Sequence, residues 1–535
     1  LHVRSRRQRQ MCIRDRMNNP SIYDNAELIV NKCRKDRNKT RLDNFFLEYG
    51  LSNQEGIALM CLAESLLRIP DNATCDEIIE EKIGGKKWLA HFNSSPSLFV
   101  NATTFGLFLA EQVVELDNSI NANPISWFQG LTSRLGDPIL REAIKKGMEI
   151  LSEEFVSGID IDDALNKFDY PKVPCSFDML GEAARTQSDV DFFFDAYEEA
   201  IRKVGEKNAL LSKSFHEISI KLSAIHPRYE ATKKDRVMDE LLERVYQLCI
   251  QSAAHDIALT IDAEEQDRLS ISLEIIRIMA QSKKIKDWPG FGIALQAYGK
   301  RSLSTINWLE NLLKERTSMH LRLVKGAYWD YEIKHAQVSG YDNYSVFTKK
   351  SITDLSYLSC AKRIFEVSSI YPKFATHNAH TVSAINYLGQ NKEYEFQRLF
   401  GMGELLYKCA NEVLDNKKIT SIYAPIGKYK DLLPYLVRRL LENGANSSFI
   451  NRLLDPNTDS TLLASSPHEK LKNEKKNIPL PLNIFHNRAN SKGMDLTEME
   501  NLEAINKKII EYKNTSVHAL SLIHISEPTR LGMIS

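Results

Sequence analysis

The sequence predicts an α/β protein, a (β/α)8 TIM-like barrel that is preceded by an α-helical region. From residue 25 to about residue 158, apolar residues recur at helical spacing. From residue 175 onward, short apolar runs of strand length alternate with helical segments, and eight such units follow one another in about 270 residues. An open doubly wound sheet has fewer strands and usually a phosphate-binding fingerprint, so a closed barrel is favoured.

The helical region ends shortly before the first strand. Asp137 and Pro138 form a helix start, because aspartate caps a helix well and proline at the first helical position has no N–H to leave unpaired. We expect residues 17–160 to form a helical arm and a helical domain, and residues 161–456 to form the barrel.

The predicted strands are residues 175–179, 217–223, 258–262, 291–296, 321–325, 373–377, 395–400 and 421–424. After residue 455 the composition shifts to Ser, Thr, Asn, Pro and Lys, which predicts an exposed linker over residues 457–487. Residues 488–519 are expected to form one or two helices without a partner in this chain.

The composition is that of an ordinary globular protein, with 43% hydrophobic and 26% charged residues in 535. Its 70 basic and 70 acidic residues give no electrostatic reason to expect a nucleic-acid partner. The apolar stretches are much shorter than the roughly 20 residues that span a bilayer, although a lipid surface could be touched peripherally. Eight cysteines are scattered singly, which indicates reduced intracellular thiols and argues against zinc.

The two ends of the chain are predicted to be artefacts derived from an adapter. A DNA word that encodes residues 11–15 has a reverse complement that encodes residues 520–525, and it resembles the transposon adapter of sequencing libraries. We therefore assign residues 1–16 and 520–535 to the adapter and expect the natural protein to be longer. The alternative is a genuine basic arm that touches nucleic acid or anionic lipid. Without residues 1–16, which hold six arginines and one aspartate, the chain is mildly acidic.

Polar side chains close most of the predicted strands. In a parallel barrel the active site lies at the carboxyl ends of the strands. The residues at these ends are Asp178, Glu182, Lys221, Asp262, Gln296, Arg322, Lys325, Gly326, His377, Asn378 and Tyr423. Each one alone is also typical of a helix cap or a solvated loop, but seven strands that end in this way favour a site.

Lys221 is predicted to point into the barrel, because strand alternation places it with Ser219 and Ser223. A buried cation is paired or loses its proton, and Asp262 on the next strand is the expected counter-ion. The rival interpretation is a Schiff-base nucleophile.

A second set of polar residues lies on one face of the last predicted helix and consists of Tyr435, Arg438, Arg439 and Glu442. Adjacent arginines offer forked donors for a carboxylate or a phosphate. The alternative is a surface pair that bonds to Glu442. No metal site is expected, because His377 and His380 have no supporting motif.

Read together, these residues stand in motifs that closely resemble flavin-dependent proline dehydrogenases. The motifs are residues 220–224 (IKLSA), 261–264 (IDAE), 296–298 (QAY), 322–330 (RLVKGAYWD), 375–378 (ATHN) and 435–444 (YLVRRLLENG). Residues 51–64 and 478–481 resemble the bifunctional bacterial members of the family, in which an aldehyde dehydrogenase domain follows. The resemblance spans about residues 40 to 500.

The resemblance implies an FAD enzyme that takes a hydride from C5 of L-proline, gives 1-pyrroline-5-carboxylate and passes electrons to membrane quinone. It also implies a cytoplasmic protein that could associate peripherally with the inner face of the cytoplasmic membrane, and a homo-oligomer in the full-length family. Residues 488–519 would be the start of a truncated aldehyde dehydrogenase domain, so the NAD-dependent activity would be absent. No ribbon–helix–helix segment is found, and no nucleic-acid partner is expected.

Carried over by position, the resemblance assigns the site residues. Arg438 and Arg439 would hold the proline carboxylate, paired by Glu182 or Glu442. The residues that would line the substrate ring are Lys221, Asp262, Tyr328 and Tyr423, and the expected catalytic set is Lys221, Asp262, Arg438 and Arg439. The expected flavin contacts are Gln296, Arg322, Val324, Lys325, Gly326, Ala327, Trp329, Thr376, His377 and Asn378.

Overall fold

The computed structural model describes residues 20–36, 155–168, 173–210, 216–415, 418–427, 435, 453, 458–474 and 478–513. Most of the predicted helical region and both predicted adapter segments lie outside these residues. The described part of the helical region comprises one long helix, Pro20–Lys35, and the residues that lead into the barrel.

Eight parallel strands form a closed barrel in sequence order, as the alternating pattern predicts. The strands are β1 Cys175–Met179, β2 Glu217–Ile220, β3 Leu259–Ile261, β4 Phe291–Gln296, β5 Met319–Val324, β6 Ile370–Ala375, β7 Glu395–Leu399 and β8 Thr420–Ile426. β1 pairs with both β2 and β8, which closes the sheet. The predicted bounds of β1 and β4 agree with the structure at every residue.

Helices connect the strands and cover the outside of the barrel. They are α1 Pro20–Lys35, α2 Ile161–Lys167, α3 Gln187–Leu210, α4 Lys234–Ala254, α5 Leu269–Gln281, α6 Ser302–Leu312, α7 Trp329–Ser339, α8 Lys350–Phe365, α9 Ala379–Leu388, α10 Glu404–Leu414, α11 Ser460–Ala464, α12 Pro467–Asn473 and α13 Met499–Lys513. Short 3-10 helices lie at Leu222–Ala224, Ala231–Lys233, Gln266–Arg268, Leu313–Glu315 and Pro481–Asn483. None of the described helices is long and apolar enough to cross a membrane.

The two faces of the strands have opposite chemistry. Apolar side chains such as Phe177, Ile218 and Phe374 point outward and are buried under the helices. The alternate positions point into the barrel and carry polar groups that bond across it, for example Arg322 to Ser176. The interior is therefore held together by ion pairs and hydrogen bonds as well as by packing.

Helix α1 packs against the last helices of the barrel although it lies far from them in sequence. The Ser383 hydroxyl on α9 donates to the Ile22 carbonyl at 2.9 Å. Arg34 donates to the carbonyl oxygens of Leu453 at 3.0 Å and Thr458 at 2.6 Å. Helix α1 thus connects the barrel to the chain segment that follows it.

The segment predicted as an exposed linker is only partly exposed. Residues 457–487 include α11 and α12, and Leu463 and Ala464 are buried because α11 packs against α1. Helix α13, by contrast, has no buried residue, as expected for a helix without a partner in this chain.

Candidate active site

Five strands, or the residues that directly follow them, bring together one buried cluster of polar and charged groups, which we call the mouth cluster: Asp178, Lys221, Asp262, Arg322 and Tyr423. Lys221 Nζ lies 2.5 Å from Asp178 Oδ2 and 3.7 Å from Asp262 Oδ2. The expected pairing with Asp262 is present, but Asp178 is the nearer counter-ion. Burial alone would lower the pKa of Lys221, and the attraction of the two carboxylates outweighs it and raises that pKa.

Strand β2 is shorter than predicted, so Lys221 directly follows the strand instead of lying within it. β2 ends at Ile220, and Lys221 precedes the 3-10 helix Leu222–Ala224. Ser223 consequently does not continue the strand. Its backbone N–H and side chain bond to the loops that surround the barrel mouth, including the Glu264 carboxylate at 3.1 Å.

Arg322 lies inside the barrel and belongs to the mouth cluster. Its Nη1 donates to Asp262 Oδ1 at 2.6 Å, and its Nη2 donates to Ser176 Oγ at 2.9 Å and Ser219 Oγ at 2.7 Å. The guanidinium also lies 5.1 Å from the centre of the Tyr423 ring. The sequence grouped Arg322 with the flavin contacts, whereas the structure bonds it to a residue expected to bind substrate.

Tyr423 bridges the two carboxylates of the mouth cluster. Its hydroxyl oxygen lies 2.6 Å from Asp178 Oδ2 and 2.8 Å from Asp262 Oδ2. Burial raises the pKa of Asp178, and Lys221 only partly offsets this effect. Burial and both aspartates raise the pKa of Tyr423 well above its usual value, so the phenol keeps its proton.

The neighbouring ends of β4, β5 and β6 carry the other residues expected to contact flavin. Gln296 and Val324 are register partners in β4 and β5. The Gln296 side chain donates to the Glu264 carbonyl at 2.7 Å and accepts from the Ala327 N–H at 3.2 Å. Gly326 has a φ of +136°, a conformation that favours glycine. These residues form an arc of polar side chains and backbone along one side of the mouth.

Several side chains along this arc also form structural bonds. Lys325 pairs with Asp354 on α8, and Trp329 Nε1 donates to the Phe347 carbonyl at 2.9 Å. Tyr328 is the residue before α7.

Three residues, Thr376, His377 and Asn378, connect strand β6 to helix α9. The Thr376 carbonyl accepts from the Tyr407 hydroxyl at 2.8 Å. His377 Nε2 accepts from the Leu399 N–H at 3.2 Å. Asn378 caps α9 by accepting from the Thr381 N–H at 3.0 Å. The predicted end of this strand at residue 377 was therefore two residues too late.

Arg438, Arg439 and Glu442 lie outside the described residues, while Tyr435 in the same motif is described and buried. Glu182 is half-buried, and its charge contributes to the raised pKa of Lys221. In the described ranges, no group of three or more His, Cys, Asp or Glu residues could hold a metal ion.

The structure adds three acidic residues to the site, and the sequence analysis had assigned no role to any of them. The sequence analysis named Asp178 only as a residue at the end of a strand, and that position was the one sequence feature that could have indicated its role. Glu264 stands in the motif at residues 261–264, and its buried carboxylate accepts from Arg268 at 3.1 Å. Asp354 gave no signal, because it lies on a helix 29 residues after its partner Lys325.

Comparison with known proteins identifies the family. The proline dehydrogenase family matches residues 162–452, which cover more than half of the chain and include the whole barrel. The chain belongs to the proline dehydrogenase family. This assignment confirms the resemblance found in the sequence motifs, and it makes the protein a member of a family of oxidoreductases.

Similar members of the proline dehydrogenase family are long bifunctional proteins. The chain is 41% identical to the bifunctional protein PutA of Escherichia coli strain K12 over 95% of its length, and 39% identical to that of Rhizobium meliloti over 91%. A crystal structure of a bifunctional proline utilization A (PutA) protein matches with a TM-score of 0.72 and 36% identity, covering 94% of this chain and 51% of that one. The chain spans about two fifths of the length of the curated PutA relatives.

A second match corrects one expectation. Residues 41–155 match the DNA-binding domain of proline dehydrogenase. This finding is at odds with the expectation that the chain has no nucleic-acid partner, which rested on net charge and on the missing ribbon–helix–helix segment. Net charge was a poor guide here because it averages over the whole chain, whereas the matched segment is a minor part of it.

Proposed function

We propose that this proline dehydrogenase oxidises L-proline to 1-pyrroline-5-carboxylate, with FAD as the hydride acceptor and a membrane quinone as the next electron acceptor. The observation that carries the proposal is the mouth cluster, which lies at the carboxyl ends of the strands of a proline dehydrogenase barrel. It holds two cations and two acidic side chains around one tyrosine, all close to the polar arc on β4–β6. A small zwitterionic amino acid fits such a site, because it needs both cationic and anionic partners.

Two features of the chain fit a flavin along the arc. Gly326 lets the loop after β5 turn with a φ of +136°, which brings the Ala327 N–H to the Gln296 side chain in the arc. Arg322 Nε is buried without a partner among the described residues, so it has a donor left for a ring acceptor. Bound FAD would supply the two-electron acceptor for the hydride. The residues that would hold it are Gln296, Arg322, Val324, Lys325, Gly326, Ala327, Trp329, Thr376, His377 and Asn378.

The residues of the chain would orient the substrate. We assign the proline carboxylate to Arg438 and Arg439, whose charge would be balanced by Glu182 or Glu442. Lys221, Asp262, Tyr328 and Tyr423 would surround the ring and hold C5 in one orientation. Fixing the carboxylate far from the reacting carbon restricts the motion of the ring and lowers the entropic part of the barrier.

The rival Schiff-base reaction is not favoured by the environment of Lys221. A lysine that attacks a carbonyl must be neutral, whereas Asp178 and Asp262 raise the pKa of Lys221 and keep it charged. Borohydride trapping of a carbonyl substrate on Lys221 would support the rival function.

The wider assignments remain part of the same proposal. We propose a cytoplasmic enzyme that contacts the inner face of the membrane peripherally to reach its quinone and that forms a homo-oligomer in longer family members. In the proposed domain layout, residues 17–160 are the helical arm and domain, 161–456 the barrel, 457–487 a linker and 488–519 the start of an aldehyde dehydrogenase domain.

The flavin spectrum before and after addition of L-proline tests the proposal. We expect a yellow protein that proline bleaches, and a dye or quinone that is reduced in turn. Arg438→Met and Arg439→Met should raise the proline concentration needed for half-saturation by at least about tenfold, since a charged hydrogen bond contributes about 1.5–3 kcal/mol. A colourless protein that takes up no FAD would contradict the cofactor, and unchanged saturation in both variants would remove the role of the arginines.

A further inference from the structure

The contact of Tyr423 with two aspartates fixes the number of protons in the mouth cluster. The two distances, 2.6 Å to Asp178 Oδ2 and 2.8 Å to Asp262 Oδ2, are both typical of full hydrogen bonds between oxygen atoms. A tyrosine hydroxyl has a single proton to donate, so it can satisfy only one of these oxygens. The other contact needs a proton of its own, and that proton must belong to a carboxyl group.

The surroundings of the two aspartates show which of them carries this proton. Asp262 accepts a charge-assisted hydrogen bond from Arg322 at 2.6 Å on Oδ1, the oxygen that does not contact Tyr423, so a full positive charge lies against it. Asp178 is completely buried, and its Oδ1 has no partner in the part of the chain that the structure describes. An isolated carboxylate oxygen in that position would be costly, whereas a neutral carboxyl group tolerates it better.

The other groups around Asp178 are consistent with a neutral carboxyl. Lys221 donates to the same oxygen that faces Tyr423, and the oxygen of a protonated carboxyl still has a lone pair for that bond. The Tyr197 hydroxyl on α3 accepts from the Lys221 backbone N–H at 3.0 Å. Asp262 repels an Asp178 carboxylate at longer range, Arg322 attracts it, and Glu182 acts through Lys221. With Asp178 neutral, Lys221 keeps a hydrogen bond to the Asp178 carboxyl, and the negative charges that hold it protonated are those of Asp262, 3.7 Å away, and Glu182.

We propose that Asp178 and Asp262 share one proton through Tyr423, with Asp178 as a neutral acid and Asp262 as an ionised base in the resting site. The hydrogen bonds then run in one direction, from the Asp178 carboxyl to the Tyr423 oxygen and from the Tyr423 hydroxyl to Asp262. Asp178 is a positioning residue in this arrangement, because it acts on Asp262 through Tyr423.

The ionised Asp262 can accept a proton from the substrate. This role of Asp262 rests on the proposed oxidation of proline. The secondary amine of free proline is protonated, and it must lose a proton before a hydride can leave C5. Asp262 takes that proton: the N–H bond breaks, an O–H bond forms on the carboxylate, and the electron pair stays on nitrogen. No electrons are exchanged in this step, and the neutral Asp178 keeps a second negative charge away from Asp262.

Infrared spectroscopy of the full chain labelled with ¹³C at the aspartate carboxyls tests the shared proton directly. At neutral pH and without proline, we expect the C=O band of a protonated aspartate, and Asp178→Asn should abolish it. Asp354→Asn is the matched control, since Asp354 is also a buried aspartate that pairs with a lysine but contacts no second carboxylate. The band should persist in this control. Because the measurement needs no turnover, it is independent of whether proline reduces the flavin.

Two results would overturn the assignment. The first is a spectrum in which Asp178→Asn removes no protonated-aspartate band. The second is a band that disappears in Asp262→Asn but persists in Asp178→Asn. Tyr423→Phe covers the case in which Asp178→Asn does not fold, because it removes the bridging hydroxyl and changes no charge. We expect it to shift the band to higher frequency, and an unshifted band would contradict the bridge.

Discussion

At the scale of single residues, Gly326 shows how tightly the barrel mouth is packed. Its φ is +136°, and a Cβ there would lie 2.5 Å from two carbons of the buried Tyr298 ring. Gly326→Ala should therefore lower the free energy of unfolding by about 2–4 kcal/mol, through backbone strain and steric overlap. Urea denaturation measures the loss. Adding Tyr298→Leu should relieve the overlap but not the strain and so recover part of the stability. A Gly326→Ala protein as stable as the unchanged chain would show that the loop adapts freely.

Glu332 gives the second prediction at this scale. Burial raises its pKa to about 7, although it accepts from the Gln266 N–H at 2.7 Å. A carboxyl whose pKa is higher in the folded than in the unfolded chain binds its proton preferentially in the folded state. Stability from this group is therefore present below about pH 4.5 and is lost as the pH rises toward 7. Each pKa unit corresponds to about 1.4 kcal/mol.

Glu332→Gln should remove this part of the pH dependence, because glutamine keeps the acceptor and cannot ionise. Denaturation midpoints between pH 4.5 and 8 measure the effect, and the variant should gain stability relative to the unchanged chain at the upper end. The control is Glu240→Gln, since a hydrogen bond from Arg236 lowers the pKa of the half-buried Glu240. An identical slope for Glu332→Gln and the unchanged chain would mean that Glu332 is ionised throughout this range.

At the scale of secondary-structure elements, helix α1 contacts both the barrel and the segment that follows it, so changes in α1 test how strongly the two are connected. Arg34 is the residue to change, because its two bonds reach the backbone of residues 453 and 458. Arg34→Met should destabilise the contact by about 1–3 kcal/mol, since bonds from charged donors are lost. Hydrogen exchange in α1 and α11 should report the loss first. Arg34→Lys should lose less, and Arg236→Met, which removes a surface ion pair, should leave exchange in α1 unchanged.

The elements themselves could be predicted from the sequence better than the contacts could. The period of apolar residues identified all eight strands because outward side chains such as Phe177 must be buried under helices. Strand ends were less accurate. The prediction extended β2 beyond Ile220, because Lys221 to Ser223 keep an alternating pattern in a 3-10 turn. The end of β6 was placed late because the polar residues after Ala375 also fit a strand.

Partners within the site depend on distances that no local pattern encodes. Lys221 was predicted to need a buried counter-ion, but β1 and β3 flank β2 equally, and the choice of Asp178 over Asp262 follows from side-chain geometry. The direction of Arg322 could not be read from the sequence for the same reason.

At the scale of the whole molecule, a second cluster of ions ties opposite sides of the barrel together. Lys373 on β6 pairs with Glu217 on β2 and lies 3.3 Å from Glu395 on β7. All three side chains are buried. Burial alone would lower the pKa of Lys373, and the two carboxylates outweigh it and raise that pKa. Lys373 is thus the cation that pairs directly with both acidic groups, while Arg322 attracts Glu217 from farther away.

Lys373→Met should therefore cost about 3–5 kcal/mol of unfolding free energy, because it leaves buried carboxylates without a cation. The loss should shrink as the pH is lowered, since Glu217 and Glu395 can then be protonated and become neutral. Adding Glu217→Gln and Glu395→Gln to Lys373→Met should recover most of the stability at neutral pH for the same reason. The control is Lys408→Met, which removes a surface pair with Asp36 and should cost less than about 1 kcal/mol. Equal losses in the two single variants, measured by denaturant unfolding, would show that the ions inside the barrel do not hold its strands together.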